Sequence, residues 1–104
     1  MTDISNFVDQ AKLLALLAND KRLLIASLIF QEEHNVTDLA EKVGLSQSAL
    51  SQHLARFRAA GVVATRRDAQ TIYYSTSHEG VRRILEALDQ MSIPSTIQRQ
   101  ARAK

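Results

Sequence analysis

Ser46 and Gly61 bracket the stretch that most limits what this chain can fold into. A serine following Gly44-Leu45 can place its hydroxyl on the free amides of a first helical turn, and a glycine can take the left-handed conformation that ends one. This punctuation predicts a helix over residues 47–60. Leu50, Leu54 and Phe57 recur at i, i+4 and i+7, so with Leu45 they form one face that packs inward. The opposite face carries Ser48, Ser51, Gln52, Ala55 and Ala59, with Gln47 at the first turn and Arg56 and Arg58 flanking. An ordinary solvated helix face shows long charged side chains one turn apart, whereas this one is short, uncharged and rich in amide and hydroxyl groups. Small side chains permit close approach. Glutamine can form paired hydrogen bonds with the N6 and N7 edge of adenine, and serine can serve either kind of base. The face therefore suits the major groove of duplex DNA, or else it is a polar surface without a ligand.

The flanking segments bear on that choice. Thr37 is expected to cap a short helix over residues 38–43, with Leu39, Ala40 and Val43 inward and Gly44 as its stop. A short helix, a brief turn and a second helix make a helix-turn-helix, whose second member enters the groove. After Gly61 the apolar period changes: residues 62–67 and 71–76 are β-branched and aromatic runs about Asp68-Ala69-Gln70, which predicts a hairpin. Arg66, Arg67, Gln70 and Thr71 gather near its tip. There a wing can straddle phosphates or probe a minor groove, the plainer alternative being a solvated charged turn. Tyr73 and Tyr74 fall on opposite faces of their strand, so at least one packs inward.

Over residues 4–18, Phe7, Ala11, Leu14 and Ala18 sit at helical spacing, and Val8, Leu13, Ala15, Leu16 and Leu17 widen the stripe around most of the helix. So much apolar surface in a small domain asks for a second partner, such as the same helix of another copy. Asn19-Asp20 then caps a helix over 21–31, with Leu24, Leu28, Leu23, Ile25 and Ile29 facing the core. Lys21 and Arg22 in its first turn oppose the helix dipole, so they are either solvated or serve a phosphate or an acid. His34, among acids in the following loop, reads as an exposed histidine. Ser77 is expected to cap a last helix over 78–91, striped by Val81, Ile84, Leu85, Leu88 and Met91, with Pro94 enforcing a stop. Residues 1–91 are thus expected to form a DNA-binding and dimerisation domain, and 92–104 a basic, flexible tail.

With 104 residues the chain is one domain with a modest core, short for an enzyme with a deep cleft and suited to dimerisation. Three glycines and one proline imply few tight turns and a mostly helical fold. The absence of cysteine excludes disulfides, thiol nucleophiles, thiolate metal sites and cysteine redox switches. No nucleophile–base pair, phosphate-binding glycine loop or carboxylate constellation is visible, so no catalytic residue, cofactor or metal is assigned and the chain is not expected to be an enzyme. The start lacks a basic segment followed by an apolar run and no stretch is apolar enough to span a bilayer, which predicts a cytoplasmic protein without a membrane partner. Net charge is only +2, yet its distribution is uneven. Residues 1–45 hold four basic and seven acidic side chains; residues 46–78 hold Arg56, Arg58, Arg66 and Arg67 against Asp68 alone. Positive charge therefore lies beside the polar helix, where a phosphate backbone needs it.

In this order of helix, helix, helix-turn-helix, wing and terminal helix, the chain resembles the ArsR/SmtB family of small bacterial winged-helix repressors over residues 7–91. The resemblance is carried by Asp20-Lys21-Arg22-Leu23-Leu24-Ile25, by Gly44-Leu45-Ser46-Gln47-Ser48-Ala49-Leu50-Ser51-Gln52-His53-Leu54, and by Gly61-Val62-Val63 running to Arg66-Arg67 and Ile72-Tyr73-Tyr74-Ser75. It implies a mainly α fold with a small β-hairpin, a winged helix-turn-helix working as a homodimer on a partly palindromic DNA operator. The implied dimer is joined through the first and last helices, where Phe7, Ala11, Leu14, Val81, Ile84, Leu85 and Leu88 lie. The implied DNA-reading positions are Gln47, Ser48, Ser51 and Gln52, with Arg66, Arg67 and Gln70 in the wing and Arg56 flanking. His53 matches the family's usual histidine and lies near the buried edge, which favours packing over DNA contact. Many relatives sense metals, and here the chain departs from them. The family's cysteine-bearing segment falls near residues 36–39, and its last-helix site falls at His78, Gly80 and near Met91 and Pro94, three of which cannot ligate. The expected function is a DNA-binding repressor that occludes promoters without those metal or cysteine sensing sites. The alternative is a winged-helix protein-interaction module with no selective DNA binding.

Overall fold

A computed structural model describes residues 4–91. Helix α1 (Ile4–Leu17) and helix α2 (Asp20–Gln31) meet at a corner held by two side chains. Asn19 caps α2 by accepting the Arg22 amide proton at 3.0 Å. The Arg22 guanidinium turns back, donating from Nε to the Leu16 carbonyl at 2.6 Å and from Nη2 to that of Ala15 at 3.5 Å. Lys21 serves helix α3 (Val36–Val43) likewise, its Nζ donating to the Val43 carbonyl at 2.9 Å. The two cations are thus neither simply solvated nor paired with acids. They satisfy orphan carbonyls at the C-terminal ends of neighbouring helices, where the dipole favours positive charge.

Helix α3 is capped by Asn35 rather than Thr37: its Oδ1 accepts the Asp38 amide proton at 2.8 Å. Gly44, at φ 78°, donates its N–H to the Ala40 carbonyl at 2.9 Å and turns the chain toward helix α4 (Gln47–Ala59). Ser46 caps α4 as its position predicts, Oγ accepting the Ala49 amide proton at 3.1 Å. Gly61, at φ 72°, ends the segment, after which the Val62 N–H bonds the Phe57 carbonyl.

The hairpin comprises β2 (Ala64–Asp68) and β3 (Thr71–Ser75), antiparallel from Ala64 opposite Ser75 to Asp68 opposite Thr71. Its connection is two residues, not three, with Ala69 in the left-handed region at φ 57°. A strand of two residues, β1 (His34–Asn35), pairs with the other edge of β3 and gives the sheet order β1-β3-β2. That pairing overturns the exposed reading of His34. It is 5% exposed and lies opposite Tyr74, its Nδ1–H donating to the Glu32 carbonyl at 2.9 Å while the Lys42 ammonium donates to Nε2 at 3.1 Å. Helix α5 (Glu79–Gln90) is capped by His78 instead of Ser77, Nδ1 accepting from the Gly80 and Val81 amides at 3.1 and 3.3 Å.

The largest fully enclosed side chains are Ile25, Ile29, Leu39, Leu50, Leu54, Phe57 and Val81, drawn from α2, α3, α4 and α5. Each contributes about 1.5–3 kcal/mol on burial; α4 supplies three of them and packs on α3, while α2 is the helix that meets α1, α3, α5 and β3. Leu24, expected inside, is 40% exposed on the outer side of α2. On α1, Leu16 and Leu17 enter the core, whereas Ile4, Phe7, Val8, Ala11 and Leu14 stay on the surface. On α5, Ile84, Leu85 and Leu88 are half-buried. Val81 is wholly enclosed by its own chain, so it leaves the expected interface set and belongs to the core. No helix among the described residues is long and apolar enough to cross a membrane. The basic tail and the stop at Pro94 lie outside the described residues.

Candidate nucleic-acid interface

Because Leu50, Leu54 and Phe57 are driven inward, helical geometry turns Gln47, Ser48, Ser51, Gln52, Ala55, Arg56 and Ala59 outward, and all seven are exposed. The strip is anchored at its start. Gln47 Nε2 donates to Thr37 Oγ1 at 3.3 Å, so Thr37, which does not cap α3, steadies the first amide of the exposed strip. Thr37 also lines a groove of about 320 Å³ with Asn35, Val36, Gln70, Thr71 and Ile72. Thr37 thus bonds the start of α4 and shares a groove with Gln70 of the wing turn.

The wing arginines differ in state. Arg66 is held by Glu33, Nε reaching Oε2 at 2.9 Å and Oε1 at 3.2 Å while Nη2 reaches Oε1 at 2.9 Å. Its guanidinium also lies 4.7 Å from the centre of the Tyr73 ring. The paired hydrogen bonds hold the Glu33 carboxyl below its ordinary range and raise Arg66 further, so each keeps its charge. Arg67, next along β2 and facing the other way, is exposed and has no hydrogen bond or ion pair among the described residues. Tyr74 is the buried tyrosine of the pair; its hydroxyl accepts from Arg58 Nη1 at 2.7 Å, which commits Arg58 to tying α4 to the sheet.

His53 lies at the inner edge of the strip, half-buried, with Nδ1 enclosed and without a hydrogen-bond partner. Burial lowers its pKa first, and the charges of Arg22 and Arg56 lower it further. A packing role fits this position better than base contact. Sequence reasoning missed Glu33, and misassigned Thr37, because their partners lie 33 and 10 residues away. Among the described residues no group of three or more His, Cys, Asp or Glu could hold a metal ion, and the His78 Nδ1 is occupied as a cap.

A capped helix offering an amide-and-hydroxyl strip, beside a cationic hairpin and over a helical core, defines a winged helix-turn-helix of the kind used by DNA-binding transcription regulators. The chain belongs to the ArsR family of bacterial regulatory proteins, whose family model matches residues 19–65, a family of regulators rather than enzymes. It is 60% identical over 78 residues to the nodulation protein NolR of Rhizobium meliloti, an alignment taking in 75% of this chain and 64% of NolR. The chain thus spans a little under two-thirds of that relative's length. Over 79 residues it is 43% identical to the transcriptional activator HlyU of Vibrio cholerae, covering 76% of this chain and 73% of HlyU. The crystal structure of NolR from Sinorhizobium fredii superposes with a TM-score of 0.81 at 49% identity, covering 88% of this chain and 97% of that one.

Proposed function

We propose that this chain acts in the cytoplasm as a homodimer that binds a partly palindromic duplex operator and represses transcription by occupying the promoter. One observation carries the reading: Gln47, Ser48, Ser51 and Gln52 are exposed together on a helix whose start is fixed by Ser46 and Thr37. Amide and hydroxyl groups of this kind read base edges, while Arg56, Arg67 and Arg66, with Gln70 at the wing turn, set the register against phosphates and the flanking groove. A two-fold dimer presents two such helices about 34–36 Å apart, one turn of duplex, which is why the operator is expected to be palindromic. Repression by occlusion needs no contact beyond occupancy. HlyU is named an activator, so the sign of regulation at a given promoter depends on where the operator lies.

Selection of bound fragments from genomic DNA tests the proposal and identifies the operator. The recovered fragments should share a motif with two half-sites. Gln47→Ala should lose about 1–3 kcal/mol of discrimination at one base position, while Arg67→Ala weakens all sequences alike. Fragments without a common motif would overturn the reading in favour of a protein-interaction module.

A further inference from the structure

The exposed strip of α4 does not end in open solvent. Its last turn, with Arg56, Ala59 and Ala60, forms one wall of a groove of about 400 Å³, and the facing walls are Lys12, Ala15 and Leu16 of α1 and Arg22 at the start of α2. Three cations from three helices line it, and no acid does. Asp9 shares the adjacent cavity with Lys12, and Asp20 lines a different groove between α2 and α5. The side chains of Lys12 and Arg56 make no hydrogen bond or ion pair among the described residues. Arg22 differs in being fixed: the Leu16 and Ala15 carbonyls hold Nε and Nη2, leaving Nη1 without a protein acceptor among the described residues. The fields of Arg22 and Arg56 also meet inside the protein, since both act on His53, where they outweigh the opposing field of Asp20.

Three cations in a concave site whose lining holds no acid favour a compact anion with several acceptor oxygens, which is the description of a phosphoryl group. Its position along α4 says which one. Nine residues separate Gln47 from Arg56, about 13.5 Å at 1.5 Å per residue, and the major groove is about 12 Å wide. A duplex whose bases face residues 47–52 therefore brings one of its backbones to the Arg56 end of the helix.

We infer that the groove between α1, α2 and α4 seats a DNA backbone phosphate flanking the bases read by α4, with Lys12 and Arg22 joining Arg56 around it. The inference rests on the operator-binding reading and adds two contacts outside the helix-turn-helix and wing. Lys12 supplies a mobile point charge. Arg22 supplies a guanidinium held in place before the duplex arrives, so ordering it costs little on binding.

Anisotropy measurements with the full chain and the selected operator, across a salt titration, test this with Lys12→Gln. Lys12 is an exposed helical position where the substitution keeps the fold. Affinity for operator and random duplex should fall by the same factor, and the salt slope should become shallower by about 0.9 for each groove in the complex. A methylphosphonate at the flanking phosphate should weaken the wild-type protein by a larger factor than it weakens Lys12→Gln, which keeps only the Arg22 and Arg56 contacts; equal factors would overturn the Lys12 contact. An unchanged slope alongside intact selectivity would overturn the phosphate seat and leave operator binding standing; loss of all selectivity in the wild type would overturn operator binding itself. Titration with inorganic pyrophosphate separates the other source of the same chemistry. Tight, Lys12-dependent binding of pyrophosphate with no effect of Lys12→Gln on DNA would assign the groove to a free phosphorylated ligand and refute the inference.

Discussion

At His53, on the inner edge of α4, burial and the field of neighbouring cations act in the same direction. Its Nδ1 is enclosed without a partner, and Arg22 and Arg56 add positive field to the cost of burial, so the folded state resists protonating this ring. The sign of the consequence follows from linkage. Above its ordinary value of 6.5 the ring is neutral whether folded or not, and it makes no pH-dependent contribution. As pH falls below that value the unfolded chain binds the proton first, so stability drops until pH passes below the lowered folded-state value. His53→Gln removes this component. Denaturant midpoints followed from about pH 7 down to 5 should therefore fall more steeply for the wild type than for His53→Gln. Parallel profiles would show that the burial of this nitrogen has no energetic consequence.

The wing shows how an element can be legible in outline and hidden in operation. Its period-two runs and the glycine before them announce the hairpin, and Arg66 and Arg67 stand where the sequence puts them. The sequence does not reveal that Glu33 holds Arg66, because the two are 33 residues apart and are brought together by β1, a strand too short to show any periodicity. The same holds for His34, buried by that strand, and for Lys21 and Arg22, whose acceptors are carbonyls of other helices. By contrast, the strip on α4 was legible because its caps and its inward face are both local. An exposed pair such as Glu33 with Arg66 adds little to stability, since both side chains remain hydrated. Its larger effect is expected on binding, where a phosphate must replace the carboxylate. Glu33→Gln should leave the melting temperature nearly unchanged while tightening binding to all duplexes and steepening the salt slope by up to about 0.9 per wing. Unaltered affinity in that variant would mean that Arg66 stays with its own protein when DNA is bound.

At the scale of the molecule, the apolar surface left on α1 has to be accounted for. Ile4 is 78% exposed, Phe7 57%, Val8 48% and Leu14 55%, on a helix whose far end is already in the core. Beside it, Leu13 and Leu14 share a groove with Gly80, Arg83 and Ile84 of α5. The two helices are close here, for a Cβ added to Gly80 would lie 2.7 Å from Leu13 Cδ2. Contiguous apolar area from the first and last helices suits a two-fold contact, in which the same patch serves both copies. Leu14→Glu separates this function from folding. The side chain is exposed in the single chain, so the helical circular dichroism should be unaffected, but a charge in the seam between copies has no partner and loses its water. Sedimentation should then report a monomer. Operator affinity should fall by about 10²–10⁴, the advantage that linking two half-site contacts confers, even though every residue of the reading strip is intact. Gln47→Ala provides the converse, a dimer with impaired base discrimination. If Leu14→Glu remains dimeric and binds the operator as before, the copies meet elsewhere, and the spacing of the two recognition helices is set by a different surface.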